Sequence, residues 1–337
     1  AVLKNRIDLA ADFYYTKTKG VIWQRYLPIT NGGYNASTQY YTNMNICSTD
    51  NKGVEVTLNT RNIQTKDFKW SSTLTYSFNK EKVTSLADGT SNYVTNGNYT
   101  LAKGSPVNSF YKYKITGIWQ KGEASDAAVF GQKPGDIKID IPGLKKSEIG
   151  KYVDEEGVEY TADNKYTISE NDYQIIGHNS PDWTLGLQNT LNWKNFDLSV
   201  FMFMRWGQMI NYSMLTRYDP TGANNFPEYF NYWTESNPSN DFPAANANMA
   251  LKDYTGYYSL SYVDGSFFKI KNITLGYNLP KDLLKKFGFE KLRVYGTITN
   301  PFVVAKSHLL KDYDPEMNGS LNYPLTKQLV FGLNLSF

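Results

Sequence analysis

Apolar and polar residues alternate along much of this chain, over stretches longer than a half-buried soluble strand sustains. In residues 183–193, WTLGLQNTLNW, the side chains of Trp183, Leu185, Leu187, Leu191 and Trp193 share one face, with Thr184, Gly186, Gln188, Thr190 and Asn192 opposite. After a turn at Lys194 and Asn195 the pattern resumes. Phe196, Leu198, Val200, Met202, Met204 and Trp206 continue the apolar face, while Asp197, Ser199 and Arg205 take the other. The spacing predicts a long hairpin. Residues 67–79 place Phe68 and Trp70 near one end, Tyr76 and Phe78 near the other, and Leu74 between them. Aromatic rings at both ends of an apolar band are what two bilayer interfaces select. A β-sandwich with one wet face predicts the alternation but not the paired aromatic ends.

The same pattern predicts strands at 4–18 (Ile7, Leu9, Ala11, Phe13 and Tyr15 on one face), 53–62, 267–279, 291–300 and 328–337. Residues 108–119 are strand-like, and 135–141 alternate over a short run. Outer-membrane barrels have short periplasmic turns, long external loops and a chain that ends in the periplasm. Counting back from Phe337, and forward from the short connection at 63–66, places Lys80 and Asp182 both at the outer rim. An even number of strands then lies between them. With 108–119 as one and either 135–141 or 164–176 as its partner, the expected total is about ten. The external loops on this count are 19–52, 80–107, 143–181, 207–265 and 301–327, too long and too rich in Tyr, Asn and Gly to be linkers. The predicted fold is an all-β, transmembrane antiparallel β-barrel, with Leu185, Leu187, Val200, Met202, Leu333 and Leu335 toward lipid and Asp197, Ser199, Arg205 and Asn334 toward the lumen.

Composition agrees with this picture without proving it. Aromatic residues make up 15% of the 337, including 27 tyrosines. No stretch approaches the roughly 20 apolar residues of a transmembrane helix, and a mean hydropathy of -0.50 is uninformative for a barrel that alternates lipid-facing and lumen-facing residues. The net charge of +3 is spread along the chain and not gathered in a stripe, which argues against a nucleic-acid partner. The basic run at 281–293 reads as a solvated connection. One cysteine, Cys47, leaves no disulfide framework. Ala1 falls close to the first strand with neither an initiator Met nor a signal peptide before it, so the start is expected to be a product of truncation or processing.

Catalytic chemistry is not legible. His178 and His308 are far apart, and no nucleophile elbow, phosphate loop or dinucleotide fingerprint occurs. The carboxylate pairs Asp312 with Asp314 and Glu155 with Glu156 read as exposed loop acids. The expectation is a protein that is not an enzyme.

Several segments carry a resemblance. In order they are NKGVEVTLNT from Asn51, DFKWSSTLTYSFN from Asp67, GDIKIDI from Gly135, DYQIIGHNSPDWTLG from Asp172, NFDLSVFMFMRWGQMI from Asn195, YVDGSFFKIKNITLGYNLP from Tyr262, LRVYGTITN from Leu292, DYDPE from Asp312 and the closing YPLTKQLVFGLNLSF. Together the chain resembles the SusC/RagA family of TonB-dependent outer-membrane transporters over nearly its whole length. The resemblance implies the C-terminal ten or so strands of a 22-stranded plugged barrel, so residues 1–337 are one barrel portion and the plug, the TonB-contacting segment and earlier strands are expected to be absent. It also implies a SusD-like lipoprotein partner, outer-membrane lipid around the wall, TonB coupling through the missing N-terminal part, and oligosaccharide or peptide as cargo. Composition does not choose between those cargoes. Many relatives carry a calcium-like acidic loop after the GDIK motif. Here Asp140 is followed by Ile141, Pro142 and Gly143, and 163–172 lacks the glycine turn, so no cofactor is expected and calcium at this loop is the minor alternative. A passive porin or surface adhesion barrel without energy coupling is the competing function, and a self-contained ten-stranded barrel the third.

Candidate ligand or partner-interface residues come from the largest loop, 207–265: Tyr212, Tyr218, Asp219, Tyr229, Phe230, Tyr232 and Trp233. Aromatic side chains at that density are expected to form an interface with the lipoprotein, with ligand stacking as the alternative. Arg205 near the rim marks a candidate cargo surface on the lumen side unless a carboxylate on a neighbouring strand neutralises it. Phe337 resembles the carboxy-terminal signal read by barrel-assembly machinery, and the bland reading makes it one more girdle aromatic.

Overall fold

A computed structural model describes residues 5–27, 30, 40–87, 93–96, 99–217, 220–222, 230–284 and 288–337. Eight strands form one antiparallel sheet in simple chain order. They are β1 (Ile7–Tyr26), β2 (Tyr41–Gln64), β3 (Phe68–Leu86), β4 (Trp183–Trp193), β5 (Phe196–Trp206), β6 (Phe267–Asn278), β7 (Lys291–Ala305) and β8 (Gln328–Ser336). The register sets the expected faces side by side. Leu58, Leu74, Leu187, Met202 and Ile270 make one continuous apolar row across five strands. Three residues along β3, β4 and β5, Ser71, Thr190 and Ser199 continue through Thr274 and Thr297 as a polar row on the other face. A slip of one residue in any strand would break both rows.

The apolar face lies open: Phe13 is 78% and Phe331 77% exposed. A sheet that leaves so much apolar surface uncovered needs lipid against it. Rings close the band at both ends. Trp183 and Trp206 stack at 5.9 Å at one end, and Trp193, Phe196 and Tyr277 follow one another at 6.2 and 4.7 Å at the other. Ten residues separate Trp183 from Trp193 along β4, about 33 Å of strand. At a tilt of about 45° that is a height of about 23 Å, close to the apolar band of an outer-membrane barrel.

Three differences from the sequence reading have physical causes. First, β3 pairs directly with β4, so the two strands expected between them are not in the sheet, and eight of about ten remain. The parity held because zero is also even. Residues 114–118 do pair with 137–140, but they run for five and four residues, too short for the roughly 9–11 needed to cross. Second, β1, β2 and β3 are 20, 24 and 19 residues long, so the loops expected at 19–52 and 80–107 are partly ladder. Above the bilayer a ladder no longer needs an apolar face. There the extension packs Ile46, Cys47 and Val83 against Leu101. Third, β7 continues through Pro301 to Ala305. A bulge, where Asn300 takes φ of 53°, absorbs the residue that cannot donate to the ladder.

Residues 87–182, 207–266 and 306–327 leave the sheet at the end opposite the turns at Lys194 and Asp67, and their described parts pack together as a cap. Ile118, Ile137 and Ile139 from the first segment meet Phe230, Trp233, Phe242 and Tyr257 from the second and Leu310 from the third.

Candidate functional site

The cap is tied to the polar face of the wall by charge, and the tie begins with a bulge. Lys271 has no partner residue in β5, because Ile270 pairs with Met202 and Asn272 with Phe201. The extra residue turns its side chain toward the third loop. That loop carries DYDPE, where Asp314 caps a short turn by accepting from the Glu316 N–H and Pro315 begins the turn. The Lys269 ammonium, fully buried, donates to Asp314 Oδ2 at 2.5 Å and to Glu316 Oε2 at 2.8 Å. Lys271 donates to Glu316 Oε1 at 2.5 Å. Burial alone would raise the Glu316 carboxyl, but the two lysines outweigh it and hold it below the usual glutamate range. At the rim two cap segments meet where Lys306 pairs with Asp264 at 2.6 Å, and the cation together with hydrogen bonds from Ser266 overcomes burial and holds the acid low. The cap segments are also joined to one another: Asn179 and Asn318 exchange two amide hydrogen bonds of 2.9 and 3.0 Å. Backbone contact tightens the joint, since a Cβ at Gly319 would lie 2.2 Å from the Asn211 carbonyl oxygen.

Asp314 is therefore an engaged, half-buried partner of Lys269, not the exposed loop acid expected from sequence. Lys269, Lys271 and Lys306 were missed as functional side chains. Lysines at lumen-facing parity ahead of an acidic loop were the available signal, but only the fold shows that this loop turns inward.

Arg205 stands on the same face and behaves differently. It lies opposite Phe267 on β6 and Thr184 on β4. Its guanidinium sits 5.9 Å from the Phe203 ring centroid and 5.8 Å from that of Phe267. No carboxylate among the described residues pairs with it, whereas Arg293, lower on the wall, is held by Asp197 through two hydrogen bonds.

The aromatic loop is divided by burial. Phe230 and Trp233 are 5% and 8% exposed. Phe230 stacks on Phe242 at 4.3 Å, and the Trp233 indole N–H donates to Gln120 Oε1 at 3.1 Å. These two rings are core of the cap, which corrects the expectation of a surface platform there. Tyr232 remains 39% exposed. Tyr212 is half-buried with its ring 4.2 Å from that of Tyr313. Tyr218, Asp219 and Tyr229 lie outside the described residues. A cavity of about 550 Å³ opens between the second and third cap segments, lined by Tyr212, Phe230, Asp241, His308 and Tyr313, with His308 Nε2 2.9 Å from Asp241 Oδ1. Phe337 is 84% exposed and its ring lies 6.3 Å from Phe289. Asp140 of the calcium-like stretch pairs with Lys114 at 2.8 Å, and among the described residues no three His, Cys, Asp or Glu side chains are grouped to hold a metal.

No family model matches the chain. Individual proteins do. TonB-dependent receptor P3 of Formosa agariphila is 30% identical over the whole of this chain, which covers 33% of that receptor. TonB-dependent receptor SusC of Bacteroides thetaiotaomicron is 27% identical over 99% of the chain and 30% of its own length. Among solved structures, the RagAB peptide transporter superposes with a TM-score of 0.74 at 25% identity, covering 99% of this chain and 34% of that one. Over its whole length the chain is similar to part of the TonB-dependent receptors, consistent with a C-terminal fragment of a SusC/RagA-type barrel. It spans about a third of the length of the curated relatives it matches. On that match the eight-stranded sheet is part of the wall of an outer-membrane β-barrel.

Proposed function

We propose that this chain is the C-terminal part of the barrel of an outer-membrane active importer, which takes up oligosaccharides or peptides with a SusD-like surface lipoprotein and is driven by TonB acting on a plug elsewhere in the protein. The observation that carries the reading is the joint between cap and wall. Buried Lys269, paired with Asp314 and Glu316, fixes a folded external domain over the lumen face. A passive pore gains little from a buried charge cluster at its mouth, while an importer needs a fixed external surface against which a lid can close. The whole-length likeness to TonB-dependent receptors supports the energy coupling. Tyr232 and Tyr258, 39% and 63% exposed on the second cap segment, are the rings offered to the lipoprotein. The recess between Tyr212 and His308 is of a size to hold one residue or ring of a polymer.

The test uses the full-length protein in cells. Labelled oligosaccharides and peptides are supplied with and without TonB, and uptake is measured. Uptake that stops without TonB supports the importer; uptake that continues favours the passive porin. Tyr232→Ala then separates the roles of the loop, by lipoprotein co-purification on one side and uptake on the other.

A further inference from the structure

We infer that Arg205 is an anchor for a carboxylate of the cargo, and that the importer proposed above therefore favours acidic peptides or uronate-bearing oligosaccharides over neutral ones. Arg205 stands out by comparison with its neighbours. On the lumen face and its rim, Lys269, Lys271, Arg293 and Lys306 are each matched to an acid. Asp314 and Glu316, the acids that face Lys269 and Lys271, are already engaged. Glu316 gives one oxygen to each lysine, and Asp314 gives one oxygen to Lys269 and the other to the Glu316 N–H. Asp182, which lies against Gly207 and has His178 Nε2 at 3.7 Å, makes no ion pair with Arg205 either, so Arg205 stands without an acid partner among the described residues.

What holds Arg205 leaves its donors available. Phe203 and Phe267 meet the guanidinium through their rings, and none of its N–H groups is bonded within the described residues. Phe203 also meets Lys271, whose ammonium is 5.1 Å from the ring centroid, so two cations share the ring. A planar fork held by rings is pre-organised, and its free edge matches a carboxylate through two parallel hydrogen bonds. A lysine there would present only a point charge.

The experiment uses the full-length protein with its lipoprotein and two pairs of fluorescent probes: a glutamate-rich octapeptide with its glutamine twin, and a tetra-uronate with its methyl ester. Wild-type protein is expected to bind at least one charged probe about tenfold more tightly than its neutral twin, and the pair that shows the preference names the source of the carboxylate. Arg205→Gln is expected to abolish the preference while leaving the neutral twin within about twofold. Arg205→Lys should restore only part of it. The assignment is overturned if wild type shows no preference in either pair, or if Arg205→Gln weakens charged and neutral probes alike, the pattern of an Arg205 paired with another part of the same protein. TonB-dependent uptake is read separately. A missing preference with intact uptake removes the Arg205 assignment alone, and a retained preference with TonB-independent uptake removes the importer reading alone.

Discussion

The wall and the cap use the same residues in opposite senses. Trp183 and Trp193 point out of the sheet, and Trp193 is 56% exposed, whereas Trp119 and Trp233 in the cap are 2% and 8% exposed. In the wall hydrogen-bonded strands satisfy the backbone, so side chains are free to sort by solvent: lipid on one face, water on the other. In the cap water lies outside, so rings gather inward and strands shorten to a few residues. A tryptophan in this chain is therefore part of a girdle or of a core depending on whether its segment lies in the wall or the cap.

The largest test of that contrast is a pair of truncations. Trp233→Ala should cost the cap about 4 kcal/mol, as for other buried large-to-small changes, while Trp193→Ala should cost about 0.5 kcal/mol, as at an exposed site. Limited proteolysis of the cap and thermal melting in detergent read the two effects, and equal costs would break the contrast. Next comes the joint. Lys269→Ala leaves Asp314 and Glu316 facing each other without their buried cation, at a cost of about 3 kcal/mol. Cleavage within 306–327 should then speed up while the wall stays intact, measured by gel mobility of the folded barrel. Smaller again is the register test. Val200→Arg puts a charge near the middle of the apolar band and should cost about 2–3 kcal/mol. Ser199→Arg, one residue away on the lumen face, should cost much less in the same unfolding titration. The smallest effect is on pH. The fold holds Glu316 below its ordinary value, so the unfolded chain binds the extra proton first as acid is added. The stabilisation is complete above the usual glutamate value of about 4.3 and is lost as pH falls through the lower folded value. Opening of the 306–327 loop, followed by protease susceptibility, should start only in that acid range, and an opening that begins near neutral pH would point to another group.

What the sequence disclosed follows the same division. Every wall strand announced itself, because a half-lipid, half-lumen strand must alternate, and Leu185, Val200 and Ser199 fell where their parity put them. The ends of β1 to β3 did not, because their outer halves lie above the bilayer and carry no such pattern. The cap misled for a different reason. Ile137, Ile139 and Ile141 alternate as well as a membrane strand does, and only the short pairing of 137–140 with 114–118 shows that they serve a small core of the cap. For the site, Arg205 was visible from its parity and position. The Lys269 cluster was not, since Asp314 and Glu316 come from a loop 43 to 47 residues further along whose inward turn depends on the bulge at Lys271. Phe230 and Trp233 looked like an interface because density of rings does not say which way they face.

The central claim is that the segments between wall strands fold as an external cap while the turns at Lys194 and Asp67 face the periplasm. Cys47, the one cysteine of this chain, is buried, and single-cysteine variants of the full-length protein, with any cysteine outside this chain replaced, report sidedness in intact cells. Ile149 is 78% exposed in the cap, and Lys194 is exposed at the opposite turn. A membrane-impermeant maleimide should label Ile149→Cys on intact cells and Lys194→Cys only once the outer membrane is opened; labelling of Lys194→Cys but not Ile149→Cys on intact cells would contradict it.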